Sequence, residues 1–381
     1  MNRRTLLKYI ALNSLSLPIL LEASSKNIIK KRNFIFIELK GGNDGLNTVI
    51  PYKNRHYYKY RPNLALKKNT ILPLNSELAL HPSLQSLKNI FDKKELAIVQ
   101  GLGYPNPNLS HFRSIEIWDT ASNSQEYLDN GWLKSLIPNR DKLLNGIVLG
   151  GEYGPLSNIP NGIIKINNIQ NFLQQSKQLK GRISLTGKNS SLLHILQTES
   201  EIQNSANILK KSLKNSKKLP FPFKKSNFAK QMNIATELIN STANIPFYKI
   251  SLESFDTHTN QLNQHARLLN ELSEGISTIR KNLIASNKWD NTIIVTYSEF
   301  GRRAAENANR GTDHGTAAPH FVIGGKVNGG IYGEHPSLKL LDKNKNLIYT
   351  TDFRSLYATL AKEYIGTVPN SLKSFEIIPI F

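Results

Sequence analysis

Five short segments carry side chains able to hold a metal ion or to act on an ester. They are Asn43-Asp44 within a glycine-rich turn, Ser110-His111, Phe255-Asp256-Thr257-His258, Ser298-Glu299-Phe300-Gly301-Arg302 and Gly311-Thr312-Asp313-His314-Gly315. Taken singly, each fits an ordinary turn: Asp44 beside its glycines, Asp256 and His258 as a capping pair, Glu299 bonded to Arg302 or Arg303, Asp313 close to Gly315. Brought to one place, the carboxylates of Asp44, Asp256, Glu299 and Asp313 repel one another. A divalent cation relieves that repulsion, with His258 and His314 adding nitrogen ligands. Mixed carboxylate and imidazole ligation suits zinc or manganese better than an all-oxygen calcium site. The chain has no cysteine, which excludes disulfides and thiolate metal sites.

Two further residues have chemical readings. Ser110 stands at the expected start of a helix, where free N–H groups and the helix dipole favour an anionic ligand. Its hydroxyl could serve there as a metal-activated nucleophile; the alternative is that Ser110 only caps the helix carrying Phe112 to Trp118. Arg302 could steady the charge that develops in a transition state. His56, His81 and His335 lie near prolines or tyrosines, outside these segments, and read as structural; His194 reads as a surface residue.

The elements that must position these residues show in the apolar pattern. Short apolar runs at Phe34–Leu39, Leu96–Val99, Phe247–Ser251, Thr292–Thr296 and His320–Ile323 predict buried strands. Helical patterns lie between them, a short one over Ser83–Asp92 and a long one over Gln261–Ser286. The alternation predicts an α/β fold, a mostly parallel central sheet with helices on both faces. Parallel sheets place ligands beyond the carboxyl ends of their strands. Four of the five segments follow a predicted strand, and the fifth precedes the last one. Residues 165–230, rich in Asn, Gln, Ser and Lys, read as a helical excursion with a helix near Leu192–Leu213. The whole of 30–381 reads as a single domain.

Hydrophobic residues make up 39% of the 381 and charged residues 20%, enough for a packed core. The net charge of +21 comes mostly from lysines scattered along the chain, with no nucleic-acid recognition signature, so no nucleic-acid partner is expected. Anionic small molecules and acidic glycan or lipid surfaces are the expected partners. At the N-terminus, Arg3-Arg4 precede a mildly apolar run from Tyr9 to Leu21 and the small residues Ala23 to Ser25. This is the layout of a signal peptide over residues 1–25, with the arginine pair pointing to the twin-arginine route and a periplasmic or secreted product. Its removal leaves a net charge of about +19. No later stretch approaches the roughly 20 apolar residues that span a bilayer.

On these residues the sequence resembles a bacterial family known as domain of unknown function 1501. The matching stretches are Gly41 to Thr48, Ser110-His111-Phe112, Phe255 to His258, Ser298 to Arg302, Gly311 to Gly315, Gly324-Gly325 and Thr351 to Arg354. They span nearly the whole mature chain. That family is similar to a distant branch of the alkaline phosphatase and sulfatase superfamily. The resemblance therefore implies an alkaline phosphatase-like three-layer sandwich holding one or two metals. It also implies Asp44 as the acid after the first strand, Ser110 as nucleophile, Asp256 with His258 as the middle ligand pair and His314 as the late histidine. Two departures stand out. Glu299-Phe300-Gly301 replaces an Asp-His-Gly motif, so a ligand histidine is missing and Asp313 or His111 would have to compensate. The middle pair is also spaced more narrowly than in the phosphatases. The implied function is an exported metal-dependent hydrolase of a phosphate or sulfate ester. The alternative is a non-catalytic binding or assembly factor on the same scaffold, which Phe300 favours.

Overall fold

In the computed structural model the structure describes residues 32–137, 144–159, 162–179, 190–214, 216 and 218–381. The expected signal peptide lies outside them. The strands are β1 Asn33–Leu39, β2 Val49–Ile50, β3 Leu72–Pro73, β4 Ala79–Leu80, β5 Leu96–Gly103, β6 Gly146–Val148, β7 Ile163–Lys165, β8 Phe247–Leu252, β9 Thr292–Tyr297, β10 Ala318–Ile323, β11 Gly330–Tyr332 and β12 Thr351–Asp352. The central sheet runs β11-β5-β10-β9-β1-β8-β6-β7, with β12 beside β5, and β2, β4 and β3 form a small antiparallel sheet. All five predicted strands are present.

β1 sits between β8 and β9, with Ile37 opposite Ile250 on one side and Thr296 on the other. Its side chains alternate between two cores, as a doubly covered strand requires. Ile35, Ile37 and Leu39 enter a core shared with the helices Gln85–Asp92, Asn227–Asn240 and Gln261–Ala285. Phe34 and Phe36 enter a second core with the helices His111–Thr120 and Phe353–Ile365. The fold is thus α/β, a mostly parallel sheet with helices on both faces. The segment after β7 carries the helices Ile169–Ser176 and Ser190–Leu213, and Ile166, Ile169 and Leu209 are buried in the first core. Among the described residues, no helix is long and apolar enough to cross a membrane.

One strand runs against the rest. β10 is antiparallel to both β5 and β9, while the other neighbours in the central sheet are parallel. In a wholly parallel sheet, a segment preceding a strand lies at the edge opposite the segments that follow strands. Reversing β10 brings Gly311–Gly315 to the carboxyl ends of β1, β5, β8 and β9, where the other four segments already are. Close backbone approach then depends on two glycines. A Cβ on Gly41, which has φ +118°, would lie 2.3 Å from the Asp256 nitrogen, and one on Gly311 would lie 2.2 Å from the His258 carbonyl carbon.

Candidate metal centre

The carboxylate of Asp256, in the loop after β8, is the hub of the site. Its Oδ1 lies 2.9 Å from His258 Nε2 and 3.3 Å from His314 Nε2, and its Oδ2 lies 3.4 Å from His111 Nε2. The Nε2 atoms of His258 and His314 are 3.0 Å apart. One donor atom each from His111, Asp256 and His314 falls within 4.8 Å of the others.

The remaining ring nitrogens face outward to acceptors. His111 Nδ1 is 2.8 Å from Glu299 Oε1, His314 Nδ1 donates to the Leu109 carbonyl at 2.9 Å, and His258 Nδ1 faces Asp313 Oδ1 at 3.6 Å. A carbonyl or a carboxylate can only accept, so the Nδ1 atoms of His111 and His314 carry the proton. In the neutral rings, Nε2 is then a bare lone pair. Imidazole lone pairs and a carboxylate thus converge on one small volume, an arrangement that calls for a proton or a cation between them. Two imidazole nitrogens and one carboxylate oxygen, from His111, His314 and Asp256, with both of these rings oriented from behind by an acceptor, are a set that could hold a divalent cation, and His258 stands beside them.

The surrounding charges fit the same reading. Burial resists ionisation of Asp256, but the bond and charge of Arg302, helped by His258 and His111, hold its carboxyl below the usual range. The hydrogen bond to Glu299 raises the His111 pKa, whereas burial lowers that of His314.

The residues singled out from the sequence divide into three groups. Asp256, His258 and His314 meet at the centre. Glu299 and Asp313 stand behind histidines instead of beside Asp256: Glu299 Oε1 accepts from the Gly41 amide at 2.8 Å, and Asp313 Oδ1 accepts from Asn307 at 3.1 Å. Asp44 is sealed inside the protein. Its Oδ2 is 2.6 Å from the Arg61 guanidinium and also accepts from Gln261. Burial works against its ionisation, yet Arg61 keeps the carboxyl below its ordinary value. The shared-cation argument fails for Asp44 because an arginine already supplies the compensating charge.

Two role assignments also change. Arg302 is 1% exposed and donates to the carbonyls of Gly42 (2.7 Å), Thr312 (2.8 Å), Phe255 (3.1 Å) and Gly41 and to Asp256 (2.6 Å). It locks the site loops together, and its burial leaves it no surface to offer a substrate. Ser110 precedes the helix His111–Thr120 without a side-chain capping bond and is exposed, so the capping reading does not hold. Phe300, standing where a ligand was missed, packs its buried ring at 4.5 Å from the His314 centroid and 4.9 Å from that of His111.

Sequence reasoning kept His111 only as a substitute ligand and missed Arg61 and Gln261 entirely. Gln261 links the two halves of the site. While its Nε2 reaches Asp44, its Oε1 accepts from Thr257 at 2.9 Å and Thr312 at 2.6 Å. Those threonines lie between and just before the ligand residues. An amide-bearing residue at the start of the long predicted helix was the one available signal.

A family model described as protein of unknown function (DUF1501) matches residues 165–369. No curated protein sequence matches the chain. Among solved structures, an alkaline phosphatase superfamily protein from Vibrio parahaemolyticus is 11% identical with a TM-score of 0.41, covering 91% of this chain and 69% of that one. A putative sulfatase from Bacteroides thetaiotaomicron is 10% identical with a TM-score of 0.39, covering 90% and 76%. The lipoteichoic acid synthase LtaP from Listeria monocytogenes is 11% identical with a TM-score of 0.38, covering 80% and 68%.

Proposed function

The chain belongs to the DUF1501 family of proteins of unknown function, and from that footing we propose that it is a metal-dependent hydrolase of a phosphate or sulfate ester. The observation that carries this reading is the convergence of His111, His258 and His314 Nε2 on the Asp256 carboxylate, with two of the nitrogens 3.0 Å apart. A bound divalent cation, zinc or manganese in preference to calcium, supplies Lewis-acid polarisation of an ester oxygen. The chain's own residues do the rest. Glu299 and the Leu109 carbonyl hold the protons on the outer nitrogens of His111 and His314, and Arg302 fixes the Asp256 carboxylate. Ser110, exposed and next to the ligand His111, is the candidate nucleophile.

Metal analysis of the purified full chain tests this directly. We expect about one zinc or manganese per chain, lost in Asp256→Ala and His314→Ala. Asp44→Asn should keep the metal and lower the melting temperature, because it unpairs the buried Arg61. A protein without stoichiometric metal, or an Asp44→Asn variant that loses it selectively, refutes the assignment. With metal present, loss of aryl phosphate or sulfate hydrolysis in Ser110→Ala supports the nucleophile. No turnover by the wild type favours the binding or assembly role, which also accounts for Phe300 in place of a ligand.

Export by the twin-arginine route is part of the proposal and rests on Arg3 and Arg4 preceding the apolar run. Changing both to lysine should stop export, assayed by fractionating cells. Undiminished secretion would rule that route out.

A further inference from the structure

We infer that the cleft leading away from the metal centre is built for an ester whose alcohol part is uncharged and apolar, with Phe112 as the residue that selects it. This rests on the proposed reading of the centre as the seat of the anionic head. The cleft, about 630 Å³, is lined by His111, Asp256 and Glu299 together with Phe112 and Ile115. Phe112 is 88% exposed although it follows directly on a ligand residue. Ile115, three residues on, shares its helix face. The same helix buries Ile117 and Trp118 in the second core, so its packing against the protein is complete without Phe112. An exposed aromatic beside a second apolar side chain, lining the same cleft as His111 and Asp256, has a substrate's apolar surface as its natural partner.

The charges in the cleft narrow the class further. The chain carries a net charge of +21, yet this cleft is lined by six acidic residues, Glu38, Asp119, Glu152, Glu253, Asp256 and Glu299, against two lysines, with burial holding the Asp119 carboxyl well up. Both lysines are engaged. Lys249 lies 2.5 Å from Glu38 and donates to the Gly150 carbonyl at 3.0 Å, and Lys40 faces Glu253 at 3.8 Å. The acids are paired as well, Glu152 with Lys165 and Asp256 with Arg302, and neither lysine of the cleft is free to receive a second negative charge on the ligand. A bare inorganic anion would leave the apolar wall uncovered. The fitting ligand has one anionic head and an uncharged aryl or alkyl body, which disfavours an acidic polysaccharide.

The test uses the full chain loaded with zinc, its metal content verified, and calorimetric titration with methylphosphonate, phenylphosphonate and 4-carboxyphenylphosphonate. We expect phenylphosphonate to bind about tenfold more tightly than methylphosphonate, and the carboxylated analogue about tenfold more weakly than phenylphosphonate. Phe112→Ala should erase the phenyl preference while leaving methylphosphonate affinity and melting temperature unchanged, and Phe112→Leu should restore part of it. Equal binding of the methyl and phenyl compounds overturns the inference, as does a preference that survives Phe112→Ala, or metal-loaded protein that binds none of the three. If the protein takes up no metal, the reading of the centre falls first. If metal and methylphosphonate bind and only the preference is missing, that reading stands and the cleft assignment alone is lost.

Discussion

Arg302→Leu should be the most damaging single substitution in the site, lowering unfolding free energy by about 4–6 kcal/mol. The guanidinium is buried and satisfies four main-chain carbonyls and the Asp256 carboxylate. Removing it leaves the carbonyls of Gly41, Gly42 and Thr312 without that donor in a place water does not reach, the Phe255 carbonyl keeping only the Thr257 amide, and takes from Asp256 the cation that most lowers its pKa. The carbonyls belong to the loop after β1, the loop after β8 and the segment before β10, so three separate connections lose their common tie. Arg302→Lys should recover little of the loss, because an ammonium cannot reproduce the planar fork of donors. Urea unfolding of the two variants reads this out. A leucine variant within about 1 kcal/mol of wild type would show that the loops hold themselves in place.

Acid should destabilise the protein steeply, and buried histidines are the main cause. Burial holds His81 at about 3, His265 at about 4 and His320 at about 3. Each of these pKa values lies below that of the unfolded chain, near 6.5. Above that value neither state is protonated and stability is complete. As pH falls below it, the unfolded chain takes up protons that the folded one refuses, so stability declines until the folded values are reached. At pH 5 the loss is about 2 kcal/mol for each histidine and about 6 kcal/mol together, a large part of the stability of a typical domain. Asp44, with its lowered pKa, adds a loss of the same sign at lower pH. Asp119 acts in the opposite sense, since burial beside Glu38 pushes its carboxyl well up. Unfolding of metal-free protein at pH 7 and pH 5 measures the difference. His320 is the clean control, since neither of its nitrogens has a hydrogen-bond partner and its ring packs edge-on against Trp118. His320→Phe should remove about 2 kcal/mol of the acid loss. An unchanged difference between the two pH values would exclude His320 as a contributor.

Much of this arrangement was legible in the sequence, and the gaps have physical reasons. Apolar runs such as Phe34-Ile35-Phe36-Ile37 mark strands that are buried on both faces, and the central sheet follows from them. Asp256, His258 and His314 stood out because acids and imidazoles beside glycines at strand ends are chemically unusual company. The direction of β10 was not legible, because an apolar run reads the same either way along the sheet. Nor was the partner of Asp44. Arg61 is one of 49 Lys and Arg residues, and its turn inward at the end of the helix Arg55–Tyr60 shows only in the fold. His111 could not be separated from a helix-start residue, since its case depends on a backbone carbonyl and a carboxylate that orient the rings around it. Those contacts arise from three-dimensional proximity and leave no trace in spacing.

The central position of β1 has a consequence for synthesis. Glu38 on this strand and its partner Lys249 are 211 residues apart in the chain. At the usual pace of translation, about 5–20 residues per second, the first strand leaves the ribosome some 10–40 seconds before its neighbour β8 exists, and longer still before β9. During that interval Phe34, Ile35, Phe36 and Ile37 have no sheet to join, and a nascent chain in this condition is a natural client for a holding chaperone. The last imidazole of the candidate centre, His314, emerges later still, so the centre cannot assemble until most of the polypeptide has been made.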